Sequence, residues 1–270
     1  MPSKIAFSPS EKLQRVRDKA PLVHNITNYV VMNSTANALL AAGASPVMAH
    51  APEEVADMVG LASALVLNIG TLSAPWIDAM LLAGRAANAK GIPVVLDPVG
   101  CGATPFRTET TERLLGELRI AVLRGNASEV LSCTGCSGRT KGVDSTVGSL
   151  DVVEAAREIA RKLGCTVAVT GKVDVVTDGA QTLLVSNGHP MLSRVTGTGC
   201  AATAIVGAFC GAGDDPVSDA ASALAFFGFA GERAATSAAG PGSFWVAMLD
   251  ELSRVRPSDL AVGARIERAP

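Results

Sequence analysis

Aromatic residues, basic runs and long apolar stretches are all scarce in this chain, and each shortage excludes something. Only 4% of the 270 residues are aromatic, with one tyrosine and two tryptophans, which leaves little material for base-stacking platforms. Formal net charge is −2, and the Lys and Arg residues are scattered, so neither a nucleic acid nor an anionic membrane is expected as partner. No uncharged apolar run free of glycine-marked turns reaches the roughly 18 residues needed to span a bilayer. Met1 to Ala20 mixes Lys4, Glu11, Lys12, Arg15, Arg17, Asp18 and Lys19, and lacks the apolar centre and cleavage site of a signal peptide. The six cysteines sit mostly in apolar strings, which suits a reducing cytoplasm better than a disulfide framework.

Small aliphatic residues are what the chain has in abundance. Hydrophobic side chains make up 48% of it, enough to bury a large core; one domain over residues 1–270 or two close-packed lobes would fit this length, and the single domain is expected. Short apolar strings alternate with helical segments from Ala44 onward. Ser45–Met48, Ala64–Asn68, Val94–Leu96, Ile120–Leu123 and Thr166–Val169 read as buried strands. Between them, Pro52–Gly60, Pro75–Lys90, Thr108–Leu118 and Leu150–Leu163 read as helices. That rhythm predicts an α/β fold with a mostly parallel sheet covered by helices on both faces. A hairpin follows at Val173–Thr177, Asp178-Gly179 and Gln181–Ser186, then helices at Cys200–Cys210, Pro216–Ala239 and Pro241–Arg254. Ser8–Lys19 predicts a capped first helix, and the tail beyond Pro257 is expected to be loosely ordered.

The stretch Arg194-Val195-Thr196-Gly197-Thr198-Gly199-Cys200-Ala201-Ala202-Thr203 carries the strongest chemical signal. Gly197, Thr198 and Gly199 form a turn feeding the N-terminus of an apolar helix. Unpaired first-turn N–H groups and the helix dipole make such a turn an anion site. Cys200 stands in the same field, which is expected to lower its thiol pKa below about 8.5. Other polar residues gather at predicted strand ends, where ligands bind in parallel sheets. Asp97 ends one strand, and Asn126 precedes Glu129 after another; the two carboxylates suit a Mg²⁺ ion on nucleotide phosphates, or serve as turn and helix caps. Arg124, one residue past its strand, suits a phosphate or a surface ion pair. Thr170-Gly171-Lys172 suits a nucleotide contact or a plain tight turn. Val23–Val30, with His24, Asn25, Asn28 and Tyr29, reads either as a capping turn or as a loop that touches substrate.

Established phosphate motifs are missing. A Walker-type loop would need glycine at Thr166 and Ser or Thr after Lys172. Gly197-x-Gly199-x-x-Ala202 fits a relaxed dinucleotide fingerprint, but more helices follow it where a second parallel strand belongs. Cys133 and Cys136 have redox or zinc spacing, yet no second pair exists and His24, His50 and His189 are scattered, which argues against zinc and leaves a redox dithiol or, in preference, two ordinary loop thiols. Cys101, Cys165 and Cys210 read as small core residues.

In order along the chain, Val23-His24-Asn25-Ile26-Thr27-Asn28-Tyr29-Val30-Val31, Leu96-Asp97-Pro98-Val99-Gly100, Arg124-Gly125-Asn126-Ala127-Ser128-Glu129, Lys141-Gly142-Val143-Asp144-Ser145, Val169-Thr170-Gly171-Lys172 and Gly197-Thr198-Gly199-Cys200 resemble the hydroxyethylthiazole kinase family of the ribokinase-like superfamily. The resemblance runs from about Pro21 to Ala239. It implies a ribokinase-like three-layer sandwich and transfer of a phosphoryl group from ATP, with Mg²⁺, to the primary hydroxyl of 4-methyl-5-(2-hydroxyethyl)thiazole. It also implies a homotrimer with active sites between subunits. Asn25, Met48 and Gly197 look like thiazole contacts, Arg124 and Thr170 like ATP contacts with Gly171 beside them, and Asp97 with Glu129 like the Mg²⁺–phosphate region. Cys200 stands where relatives of that superfamily usually place an aspartate base.

Overall fold

The apolar strings of the sequence become the inner strands of one sheet. A computed structural model describes residue 5 and residues 7–133 and 149–269. Among those residues β1 (Leu22–Ile26), β2 (Ser45–Val47), β3 (Ala64–Asn68), β4 (Val94–Asp97), β5 (Val122–Asn126) and β6 (Thr166–Thr170) run parallel. Three antiparallel strands extend the β6 edge: β7 (Asp174–Thr177), β8 (Thr182–Val185) and β9 (Ile266–Arg268). The order across the sheet is β2-β1-β3-β4-β5-β6-β7-β8-β9.

Alternation decides which layer each strand residue serves, because successive side chains of a strand point to opposite faces. Val23, Val66, Val95, Val122 and Ala168 pack toward α1 (Pro9–Lys19), α2 (Met32–Ala42), α8 (Thr198–Ala212), α9 (Pro216–Ala235) and α10 (Pro241–Arg254). Ile26, Leu65, Leu67, Leu96, Leu123 and Val167 pack toward α3 (Val55–Leu61), α4 (Ala74–Lys90), α5 (Pro105–Glu117), α6 (Ala127–Ser132) and α7 (Ser149–Leu163). Both faces are covered, so the strands read as unbroken apolar runs. Local signals set the helix limits: Ser8 Oγ accepts from Glu11 N at the start of α1, and Thr104 Oγ1 accepts from Arg107 N at the start of α5.

The structure corrects the sequence reading in three places. Leu22–Ile26 is an inner strand, where a capping turn or loop was expected. Buried His24 and Asn25 mask the apolar pattern, and His24 Nε2 lies 2.8 Å from the Ala49 carbonyl oxygen. Arg124 lies inside β5 and is buried, not one residue beyond it. The tail is ordered: α11 (Pro257–Gly263) packs on α1 and α9, and β9 pairs with β8 in the register Leu184 to Glu267. Smaller shifts of element ends leave the predicted order intact. Lys141–Ser145 and Cys136 lie outside the described residues.

Leu260 is fully buried in α11. Leu260→Ala is therefore expected to lower unfolding free energy by about 2–4 kcal/mol, read from urea denaturation. A loosely attached tail would leave the midpoint unchanged.

Candidate active site

Four strand ends and one helix N-terminus converge on a single cluster. Asn68 and Asp97 are the last residues of β3 and β4 and are paired in register. Asp97 is 1% exposed, and its Oδ2 accepts from Asn68 Nδ2 at 2.8 Å and from Thr203 Oγ1 at 2.7 Å. Arg124 Nη1 stands 4.0 Å from the same oxygen, and Arg124 Nη2 donates to Thr170 Oγ1 at 2.7 Å. Among the described residues the buried Arg124 Nε has no partner, which leaves one guanidinium N–H for something else.

The Gly197–Cys200 bend lies against this cluster. Gly197 sits at φ 84° as the residue preceding α8, a left-handed conformation that suits glycine, and no side chain caps the helix. The first intrahelical bond is Ala201 N to Gly197 O, so the N–H groups of Thr198, Gly199 and Cys200 precede it. A Cβ on Gly199 would stand 3.0 Å from Arg124 Nη1, which shows how closely the guanidinium approaches the turn. Between these parts opens a cavity of about 660 Å³ lined by Arg124, Thr170, Gly171, Asp174, Thr198 and Gly199, with Leu224 and Phe227 also in its wall.

Glu129 makes the capping box foreseen as its alternative role. Its Oε2 accepts from Asn126 N, Asn126 Oδ1 accepts from Glu129 N, and its Oε1 accepts from Gly100 N at 2.9 Å. It still faces Asp97 closely enough for its charge to help raise the Asp97 pKa. Two carboxylates that repel each other at strand ends fit a hard cation that draws its remaining ligands from phosphate and water. Among the described residues no group of three acidic, His or Cys side chains forms a self-sufficient metal cage.

Electrostatics here is governed by burial. Asp97 is pushed up to about 6 by desolvation, against the opposing pull of Arg124 and its hydrogen bonds. Asp174 is likewise pushed up to about 6 by burial, partly offset by the Gly171 N–H and Arg124. Cys200 is pushed up to about 11 by burial and then by the Asp97 charge, overturning the expectation that the helix N-terminus would lower it. Neutral pH therefore leaves its thiol protonated.

Not every candidate joins the cluster. Asn25 is buried on β1 and Met48 follows β2, and neither hydrogen-bonds to the cluster among the described residues. Asn25 Nδ2 donates to Val23 O, while its Oδ1 is buried without a partner among the described residues. Cys133 is no loop thiol: it is buried at the end of α6, its Sγ 3.7 Å from Cys101 Sγ and 3.1 Å from Glu129 O. Asn68, Thr203 and Asp174 belong to the site without having been assigned roles, and Asn28 was foreseen only as part of a capping turn or a loop touching substrate. Asn68 could have been found from its strand-end position, and Thr203 from its place one helical turn after Gly199. Arg107 was missed too; it fastens the loops after β3 and β4 by donating to Ile69 O, Val99 O and Gly70 O.

An anion-attracting helix start at the carboxyl end of a parallel sheet, beside buried Asp and Arg, defines a small-molecule kinase of ribokinase-like architecture. Pyridoxal kinase from Staphylococcus aureus, solved with AMP-PCP and pyridoxal, shares this fold with a TM-score of 0.62 at 16% identity, covering 92% of this chain and 98% of that one. The profile of the Hydroxyethylthiazole kinase family matches residues 13–258. Hydroxyethylthiazole kinase of Oleidesulfovibrio alaskensis is 55% identical over 258 residues, 96% of this chain and 97% of that protein. That of Methanoculleus marisnigri is 55% identical over 259 residues, 96% and 93% of the two chains. The solved hydroxyethylthiazole kinase of Pyrococcus horikoshii OT3 superposes with a TM-score of 0.91 at 47% identity, covering 97% of this chain and 99% of its own. The chain belongs to the hydroxyethylthiazole kinase family.

Raised carboxyl pKa values mean that Asp97 and Asp174 stabilise the fold most when protonated. That contribution is complete below about pH 4 and is lost as pH rises through about 6. Asp97→Asn keeps an acceptor for Asn68 and Thr203 while removing the buried charge. The free variant is expected to unfold at higher urea than the parent at pH 8, by roughly 1–3 kcal/mol, with the gap closing near pH 4. Its phosphoryl-transfer activity should fall sharply in the same preparation.

Proposed function

We propose that this chain phosphorylates the primary hydroxyl of 4-methyl-5-(2-hydroxyethyl)thiazole with ATP, serving thiamine biosynthesis or salvage. The reading is carried by one observation, the uncapped start of α8 opening beside Asp97 and Arg124, in a chain of this family. In this reading Arg124, Thr170 and Gly171 hold the nucleotide phosphates. The orphan Arg124 Nε–H and the neighbouring cavity support that placement. Gly197, Thr198, Gly199 and Cys200 present backbone N–H groups to the transferred phosphoryl, where charge develops. Asp97 and Glu129 would hold Mg²⁺, whose chemistry is to neutralise phosphate charge. Asn25, Met48 and Gly197 would face the thiazole.

Cys200 does its work as a protonated thiol. A loose, metaphosphate-like transfer removes the alcohol proton late, so placing the hydroxyl in line matters more than basicity. A thiol held near pKa 11 can steer the hydroxyl without being a preformed base. Tyr29 and Val30 are 65% and 64% exposed directly after Asn28, which supports a site completed by a neighbouring subunit in a homotrimer. The whole chain, 1–270, would act as one kinase domain in the cytoplasm. Five described cysteines are free, and among the described residues no helix is long and apolar enough to cross a membrane.

A coupled ADP-release assay, run with and without the thiazole alcohol, tests the assignment: ADP should appear only with the alcohol. Cys200→Ala is expected to keep measurable turnover, about 10–100-fold below the parent, whereas Cys200→Asp matches or exceeds it. Complete loss of turnover in both, with ATP still bound, would point to covalent catalysis. Gly199→Val should crowd Arg124 and lower kcat far more than it lowers the unfolding midpoint; equal losses would mark the turn as purely structural.

A further inference from the structure

Two buried asparagines link the thiol to the carboxylate, and their orientations follow from the backbone. Gly70 N–H donates to Asn68 Oδ1 at 3.0 Å, so that atom is the acceptor and Asn68 Nδ2 faces Asp97 Oδ2 at 2.8 Å. Val30 N–H donates to Asn28 Oδ1 at 3.1 Å, which turns Asn28 Nδ2 toward Asn68 Oδ1 at 2.8 Å. The same Asn28 nitrogen lies 3.6 Å from Cys200 Sγ. A flip of either amide would set donor against donor or acceptor against carboxylate, so both are locked. Asn28 and Asn68 are 4% and 2% exposed, which keeps water from substituting for them.

We propose that Asn28 and Asn68 are positioning residues for phosphoryl transfer: Asn68 orients the Asn28 amide, and Asn28 donates to Cys200 Sγ, fixing the sulfur toward the acceptor hydroxyl. The proposal rests on the steering role given to Cys200. With one lone pair engaged by Asn28, the sulfur keeps its S–H and remaining lone pair for other partners. The polarity of the relay also matters, because the Asp97 charge raises the thiol pKa while the amides pull it down. Asn68 stands between Asp97 and Asn28, donating to the carboxylate with its Nδ2 and accepting from the Asn28 amide with its Oδ1.

Gly70 supplies an independent handle. A Cβ there would lie 2.6 Å from Asn28 Nδ2, so Gly70→Ala displaces the amide without altering its chemistry. Asn28→Ala and Gly70→Ala are each expected to lower kcat about tenfold while KM for ATP stays within about twofold, as loss of orientation predicts. The deciding measurement is a double-mutant cycle. In a Cys200→Ala background each substitution should cost less than about twofold in kcat, because the sulfur they position is gone. Undiminished tenfold losses there, with cooperative unfolding retained, would overturn the relay and leave a structural role. Cys200→Ala turning over as fast as the parent would overturn the steering role of the thiol and the relay with it.

Discussion

The hydrogen bond from Thr203 to Asp97 ties α8 to the inner strand β4, and the site depends on it. Thr203 lies on α8 and Asp97 ends β4; both are buried, and 2.7 Å separates their oxygens. With that distance fixed, the N-terminal turn of α8 must sit over the ends of β4 and β5. Small residues make the approach possible: a Cβ on Gly207 would lie 2.6 Å from Val66 Cγ2, so α8 rests directly on β3. A helix built from larger side chains would stand farther from the sheet, and its first N–H groups would lose their place beside Arg124.

Placing Asp97 there runs against the stability of the free protein. Its carboxyl stays protonated two pH units beyond a solvated aspartate, despite two donors and a neighbouring guanidinium. Arg124 is no better served, with a buried Nε–H that no atom of the described residues accepts. Such groups persist where a ligand completes them. A polyanion shared with a divalent cation would supply both the acceptor that Arg124 lacks and the positive charge that Asp97 lacks.

Much of this was legible in the sequence because alternating strands and helices fix a parallel sheet, and polar residues after apolar strings fix its ligand-binding edge. That logic set Asp97 and Thr170 at strand ends, where they lie as the last residues of β4 and β6, and set Arg124 one residue past a strand that in fact contains it. β1 was hidden because His24 and Asn25 interrupt its apolar pattern; His24 Nε2 and Asn25 Nδ2 pair with the Ala49 and Val23 carbonyls, partners that no spacing reveals. The order of the tail was hidden for a similar reason. Ile266–Arg268 is too short and polar to read as a strand until β8 offers it an edge. Asn68 was visible as a strand-end residue, but its role depends on Gly70, Asn28 and Asp97 meeting around one amide.

The misjudged thiol shows how competing effects must be weighed. A helix N-terminus contributes roughly 0.3–1 kcal/mol to a nearby charge, less than one pKa unit. Burial shifts a group by up to 3–5 units, so with Cys200 largely withdrawn from water desolvation wins and the Asp97 charge adds to it. The same turn can still favour a phosphoryl group, because that ligand spreads its charge over several oxygens that meet the N–H groups directly. The field that fails to ionise the sulfur is therefore available for the group being transferred. The protonated sulfur, held by Asn28, adds no second negative charge beside a phosphoryl that is already anionic.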